Sequence, residues 1–314
     1  MVGERGTMEI RPLHPMFAAE LIGADLAIAP DPALIDTVED AMREHAVLVV
    51  RDQGHIGDDE HIRFSRAFGP LELPPGFAMA GDPGKSRSTI RRFRPELYDA
   101  SNLDENGEIA PAESLRHKFA KGNEIFHSDS SFNDLPTKWS LLLGHIVTPV
   151  KGETEFVDAR AVYEALPQQL KDRIDGKVAE HSFAHSREKG GATPEQTQRI
   201  REMMPPAQHP LVRVSASGRK ALYIGSHAYR ILGMDDSEAQ ALIDQLIAFA
   251  SQPHFIYRHK WRQGDLVIWD NRCTLHRATD FDYLVHKRDL RRTTINEYGE
   301  ERCAIDPPAV AATA

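Results

Sequence analysis

The sequence predicts a mainly β protein with flanking α-helices, a β-sandwich or jelly roll of short strands. Three observations carry this. From residue 123 onward, runs rich in β-branched and aromatic residues recur: WSLLLGHIVTP, ETEFVDA, PLVRVSA, KALYIGS, HFIYRHKW, DLVIWDN and RRTTINEY, with Gly, Pro, Asn or Asp turns between them. The runs do not alternate regularly with helices, as a parallel sheet of βα units requires. Helical periodicity is confined to a few segments.

Residues 33–46 place Leu34, Val38, Met42 and His45 or Ala46 at helical spacing. The VLVVRDQ that follows is a short apolar run with β-branched residues, a buried strand. DDEHIRFSRAFGP reads as a second helix closed by Gly69 and Pro70. Residues 71–122 are rich in Gly, Pro and charge and read as long loops, which in a compact enzyme often serve as lids. Two further helices are predicted, over 160–175 and over 236–252. The second has Ala239, Leu242, Ile243, Leu246, Ile247 and Ala250 on one face. The Pro/Ala-rich stretch 304–314 reads as a loose tail behind a single domain spanning 1–303.

A chain of 314 residues suffices for a substantial core. Its formal net charge of −9 disfavours the phosphate backbone, so nucleic acid is not an expected partner. A small anionic ligand stays open, because a basic pocket can sit in an acidic protein. Two cysteines, Cys273 and Cys303, do not make a disulfide framework and read as reduced thiols of a cytoplasmic protein. Cys273 lies three residues before His276, yet its flanks look like a packed strand rather than a ligand site. The N-terminus has no apolar stretch behind its charges, and the longest aliphatic run, Ala46 to Val50, is far too short to span a bilayer.

The most informative stretch is Phe126-His127-Ser128-Asp129-Ser130-Ser131-Phe132. On a strand, residues i and i+2 point to the same face, so His127 and Asp129 can aim at one point. A third donor, His276, follows the strand-like Asp265-Leu266-Val267-Ile268 and the turn-forming Trp269-Asp270-Asn271-Arg272. Two imidazoles and one carboxylate leave three positions open on an octahedral ferrous ion, room for a bidentate 2-oxoacid and O2. Alone, a His-x-Asp among 15 histidines is a weak signal.

The surrounding strings sharpen it. HSDSSF at 127–132, GETEF at 152–156, DARAVYEALP at 158–167, YRHKW at 257–261, GDLVIWDNRCTLHR at 264–277 and RDLRR at 288–292 together resemble the TauD/TfdA family of Fe(II)/2-oxoglutarate dioxygenases. Within it, HSDSSF, MPPAQHPLVR and YRHKWRQGDLVIWDNRC look most like the herbicide-type aryloxyalkanoate dioxygenases. The resemblance implies a double-stranded β-helix (jelly roll), with Fe(II) held by His127, Asp129 and His276. It implies that Arg288 grips the far carboxylate of the co-substrate 2-oxoglutarate, as a planar guanidinium can with two parallel hydrogen bonds. Thr154 supports the same carboxylate, and Arg292 holds the acidic group of a small anionic organic substrate. Arg288 lies twelve residues past His276, one more than is usual in the family, which makes Lys287 the alternative. A homo-oligomer is expected. Lys85, Arg91, Arg92, Asn102, His117 and Lys118 in the lid region are further candidates for substrate contact.

Four functions compete: aryloxyalkanoate ether cleavage, alkylsulfonate oxidation as with taurine, zinc-dependent hydrolysis on the same three ligands, and cupin-like binding without turnover.

Overall fold

In a computed structural model of the protein, the described residues are 7–73 and 92–297. The tail at 304–314, Cys303, Lys85, Arg91 and much of the lid region lie outside them.

The frame is a seven-stranded sheet in the order β1-β2-β3-β13-β5-β15-β4. Its strands are β1 (Glu9–Pro12), β2 (Ala19–Ile22), β3 (Val47–Val50), β4 (Tyr98–Asp99), β5 (Thr137–Ile146), β13 (Leu266–Asp270) and β15 (Asp289–Asn296). Neighbours pair antiparallel except β2 with β3. Period-two alternation divides its residues between two cores. Leu48, Val50, Leu141, Leu143, Leu266 and Ile268 pack with Leu34, Val38, Ala41 and Met42 of α1 (Pro32–His45) and with Phe64 of α2 (Asp58–Arg66). Their alternates Val47, Val49, Leu142, Val267 and Trp269 pack with Phe156 of a second sheet.

That second sheet has three strands in the order β12-β6-β14: β6 (Thr154–Asp158), β12 (Ile256–His259) and β14 (Thr274–Ala278), all antiparallel. Its other face, through Val157 and Leu275, joins a third core. That core holds α4 (Ala159–Ala165), α5 (Gln168–Ile174) and α8 (Asp236–Ala250). Smaller sheets, β11-β7-β8 and β10-β9, complete it: β7 (Val178–His181), β8 (Ala207–Pro210), β9 (Val212–Val214), β10 (Lys220–Leu222) and β11 (Ala228–Ile231). Between them run α6 (Phe183–Lys189) and α7 (Pro194–Met203). Among the described residues no helix is long and apolar enough to cross a membrane.

Several expectations need correction. The helix predicted over 160–175 is two helices, α4 and α5, broken at Leu166, because the residue before a proline is pushed out of the α region and Pro167 has no N–H to continue the ladder. PLVRVSA contributes to two strands in different sheets, β8 and β9, with Leu211 between them. The region 71–122 is not all loop: it holds β4, the short helix α3 (Leu115–Ala120) and a 3-10 turn at Lys121–Glu124.

Truncating the fully buried Ile268 to Ala is expected to cost about 2–5 kcal/mol in denaturant unfolding, whereas Leu284→Ala on the surface should stay within about 0.5 kcal/mol.

Candidate metal centre

His127 does not lie in a strand. It forms an isolated bridge with His276, and Asp129 sits in the turn that follows. The convergence expected from strand alternation is therefore produced in another way. The His127 N–H donates to the His276 carbonyl (3.0 Å) and the His276 N–H to the His127 carbonyl (2.8 Å). Ser130, next to Asp129, adopts φ 51°, a left-handed conformation that turns the chain immediately after the carboxylate. Gly225 seals the other side. A Cβ there, at φ 137°, would stand 2.9 Å from the His127 Cα, so only glycine permits this approach.

The imidazole rings of His127 and His276 lie 4.3 Å apart by centroid. His127 Nε2 is 3.9 Å from one Asp129 oxygen and His276 Nε2 is 3.6 Å from the other. One donor atom from each residue falls within 4.8 Å of the others, and all three residues are buried. His127 Nδ1–H donates to the Ile125 carbonyl at 2.8 Å, which leaves its Nε2 lone pair bare. The His276 ring packs between Trp269 (4.7 Å) and Phe156 (6.1 Å). Burial pushes both imidazoles below their usual range, His276 farther, which favours the neutral form that a metal requires. Burial alone would raise the Asp129 carboxyl, but Arg292, His276 and His127 outweigh it and hold it well below the usual carboxylate range.

Asp129 is held by a chain of hydrogen bonds. Ser140 Oγ donates to its Oδ2 (2.7 Å), Asn271 Nδ2 donates to Ser140 Oγ (2.9 Å), and Trp269 Nε1 donates to Asn271 Oδ1 (3.0 Å). The same Asn271 oxygen accepts the Asp129 backbone N–H (3.0 Å). The turn reading of Asn271 thus understated it, and Ser140 was missed. No spacing in the sequence signals either, because Ser140 comes from β5 and Asn271 from the turn after β13, which only the pairing of those two strands brings together. Glu72, also missed, accepts from Ser130 Oγ (2.9 Å), Asn133 Nδ2 (3.2 Å) and Thr137 Oγ1 (3.2 Å), tying down the loop after Asp129.

Arg292 reaches the centre and donates to Asp129 Oδ1, so it does not stand apart from the ligand set. Arg288 is buried. Its guanidinium has Gly152 O at 3.5 Å and the Phe281 ring at 5.6 Å, and it meets no carboxylate among the described residues. Burial pulls its pKa down to about 10. Lys287 instead faces outward and pairs with Glu108 at 2.9 Å. Thr154 follows Gly152 by two residues. Its Oγ1 accepts from Trp261 Nε1 at 3.0 Å, leaving the hydroxyl hydrogen for another acceptor. Arg92 pairs with Asp289, Asn102 braces the Tyr283 and His286 carbonyls, and His117 bonds the Ala110 carbonyl, so these lid candidates are engaged within the chain. Cys273 is buried outside the donor cluster with its thiol pushed well up by burial, as its strand-like flanks implied.

The donor chemistry fits a divalent metal: two neutral imidazole nitrogens and a carboxylate, with His127 and Asp129 held by hydrogen bonds and His276 by its packing against Trp269 and Phe156. Fold and site together define a β-rich protein built around a two-histidine, one-carboxylate centre. The chain belongs to the taurine catabolism dioxygenase TauD, TfdA family, whose model matches residues 9–294. It is 41% identical to the alpha-ketoglutarate-dependent 2,4-dichlorophenoxyacetate dioxygenase of Burkholderia sp. (strain RASC), over 94% of this chain and 95% of that protein. It is 37% identical to the (S)-phenoxypropionate/alpha-ketoglutarate-dioxygenase of Sphingobium herbicidovorans, over 91% and 94%. Among solved structures, AAD-2 in complex with Mn(II) and N-oxalylglycine superposes with a TM-score of 0.81 at 38% identity, covering 93% of this chain and 97% of that one.

Asn271→Ala removes the acceptor of two buried N–H groups and should cost about 1–3 kcal/mol in thermal unfolding. It should also weaken binding of Mn(II) or Fe(II) at least about tenfold by titration calorimetry, since loss of a group that orients a ligand typically costs that much.

Proposed function

We propose that this protein is an Fe(II)- and 2-oxoglutarate-dependent dioxygenase. Its reaction hydroxylates the carbon next to the acidic group of a small aryloxyalkanoate and cleaves the ether to a phenol and glyoxylate. The observation that carries this reading is the buried His127–Asp129–His276 donor set within 4.8 Å, in a protein that also buries Arg288 with no acid partner among the described residues. The substrate class is supported by the 41% and 37% identity to dioxygenases named for 2,4-dichlorophenoxyacetate and (S)-phenoxypropionate. Likeness to a taurine dioxygenase from Burkholderia xenovorans, at 28% identity and a TM-score of 0.70, is more distant and ranks the alkylsulfonate reading second. A zinc hydrolase gives the buried Arg288 no task. We read the fold as one jelly-roll domain, working in the cytoplasm where 2-oxoglutarate is supplied.

In this reading His127, Asp129 and His276 hold the ferrous ion. Arg288 and the free hydroxyl hydrogen of Thr154 take the far carboxylate of 2-oxoglutarate, and the guanidinium is preferred to Lys287 because it is buried, planar and without a carboxylate partner among the described residues. Arg292 takes the substrate acid and so fixes which carbon faces the centre. Bound there, ferrous iron and 2-oxoglutarate supply the oxidation: O2 is consumed, one oxygen atom goes to succinate with loss of CO2, and the other goes to the substrate carbon. The hydroxylated carbon carries an aryloxy group, so the product is a hemiacetal that falls apart to phenol and glyoxylate. The Ser140–Asn271–Trp269 chain holds Asp129 in place through this sequence.

Incubation with Fe(II), 2-oxoglutarate, O2 and phenoxyacetate should yield succinate, phenol and glyoxylate in equal amounts, and nothing when O2 is withheld. Turnover with zinc under anaerobic conditions, or no succinate with any aryloxyalkanoate, would overturn the assignment. His276→Ala should abolish the weak visible charge-transfer band that anaerobic Fe(II) and 2-oxoglutarate give together. Arg288→Lys should raise the KM for 2-oxoglutarate at least about tenfold, with a smaller change in the KM for the aryloxyalkanoate, because a point charge replaces a bidentate fork.

A further inference from the structure

Behind the metal centre runs a line of buried polar groups that the reaction above does not use. Ser131, two residues past Asp129, has its Oγ 3.0 Å from His181 Nδ1 and 3.2 Å from His227 Nδ1. His181 and His227 are almost wholly buried, and each meets Ser131 with no hydrogen-bonded carboxylate among the described residues to balance a charge, so each is read as a neutral imidazole with a single ring N–H.

The position of those hydrogens follows from the partners. His181 Nε2 is buried with no hydrogen-bond partner. A hydrogen there would be an orphaned donor, which folded proteins avoid more strictly than an orphaned acceptor. The His181 hydrogen therefore sits on Nδ1 and is donated to Ser131 Oγ. Ser131 has one hydrogen of its own, and the remaining acceptor is His227 Nδ1. With Nδ1 accepting, neutral His227 carries its hydrogen on Nε2. That N–H has no acceptor among the described residues. The His227 ring stands edge-on to His127 at 5.8 Å, flanked by Phe132 at 4.9 Å and Phe183 at 6.4 Å.

We propose that His227 Nε2–H donates a hydrogen bond to the ether oxygen of the aryloxyalkanoate, with Ser131 and His181 as positioning residues that fix its tautomer. The proposal rests on the function assigned above. A carboxylate is better matched by the guanidinium of Arg292, whereas a neutral N–H between two phenylalanines suits a weak, neutral acceptor. The ether oxygen is bonded to the carbon that reacts, and the His227 ring adjoins the ring of a proposed iron ligand, so position and chemistry agree. The device reads an aryl ether: the rings of Phe132 and Phe183 receive the arene and the imidazole receives the oxygen.

The test compares phenoxyacetate with 3-phenylpropanoate, which has a methylene in place of the ether oxygen and keeps both arene and carboxylate. Dissociation constants are measured anaerobically by calorimetry on the enzyme loaded with Fe(II) and 2-oxoglutarate. Wild type should bind phenoxyacetate about tenfold more tightly, the worth of one well-placed hydrogen bond. His227→Phe should bring the ratio to about one by weakening phenoxyacetate alone. His227→Gln, whose amide N–H2 can occupy the place of Nε2, should retain most of it. Ser131→Ala, which releases the tautomer, should fall between. A ratio near tenfold that survives His227→Phe in a folded protein overturns the proposal, as does loss of the ratio in His227→Gln with the Phe variant unchanged. If wild type converts phenoxyacetate to phenol and succinate but shows no preference over 3-phenylpropanoate, the inference fails and the assigned function stands. If no aryloxyalkanoate is bound or converted, the assigned function itself fails.

Discussion

Two backbone hydrogen bonds, between His127 and His276, bring together segments that are far apart along the chain. Everything at the centre depends on them. β14 is pinned by β6, β6 buries Phe156 against the large sheet, and His276 inherits that rigidity. His127 belongs to no regular strand, so it acquires its position only through this bridge and through the close contact with Gly225. A pair of reciprocal N–H to C=O bonds fixes backbone spacing and relative orientation at once, which a side-chain contact alone does not. The imidazoles then need only ordinary rotamers to converge.

Asp129 is placed differently, and at a local cost. Ser130 is in the left-handed region, which a residue with a Cβ adopts only when its surroundings enforce it. Glu72 supplies part of that enforcement by accepting from Ser130, Asn133 and Thr137, and Asn271 supplies the rest by accepting the Asp129 N–H. The turn is thus strained at one residue and hydrogen-bonded at its neighbours, so the carboxylate is fixed before any ligand arrives. Such preorganisation lets a metal bind without ordering the site first.

Much of this architecture was legible in the residues. Helices α1 and α8 follow from apolar spacing, and the strands β3, β5 and β13 follow from β-branched and aliphatic runs. The three donors were legible because residue type carries the chemistry and neighbouring strings carry the family. What was not legible shares a cause. β7, β11 and β14 are short strands whose existence depends on a partner, not on their own composition. The break at Leu166 was written in Pro167 and overruled by a helical pattern that runs through it. Ser140 and Asn271 look like any strand serine and turn asparagine, and only pairing of β5 with β13 brings them beneath Asp129. Side-chain roles assigned across strands are properties of register, and register is not local.

Charge placement gives the two arginines of the site different characters. Three other buried arginines are matched to acids within the chain: Arg160 with Asp158, Arg272 with Asp270, Arg213 with Glu297. Arg288 differs from these, a buried cation with a carbonyl and an aromatic face beside it and no acid among the described residues. A desolvated charge without a counter-ion is costly, by several kcal/mol in general, and the remainder of the fold must offset it. In the role proposed for Arg288, binding a dianion there would return that cost, so affinity for a dicarboxylate would come from an unfavourable feature of the unliganded form. Arg292 starts from the opposite condition, already bonded to Asp129. In the role proposed for Arg292, an incoming substrate acid would have to share or displace that bond, more readily once a cation among the donors had drawn the Asp129 charge toward itself. On that reading electrostatics orders the two sites: the pocket of Arg288 is ready at the outset, and the grip of Arg292 would strengthen after the centre is filled.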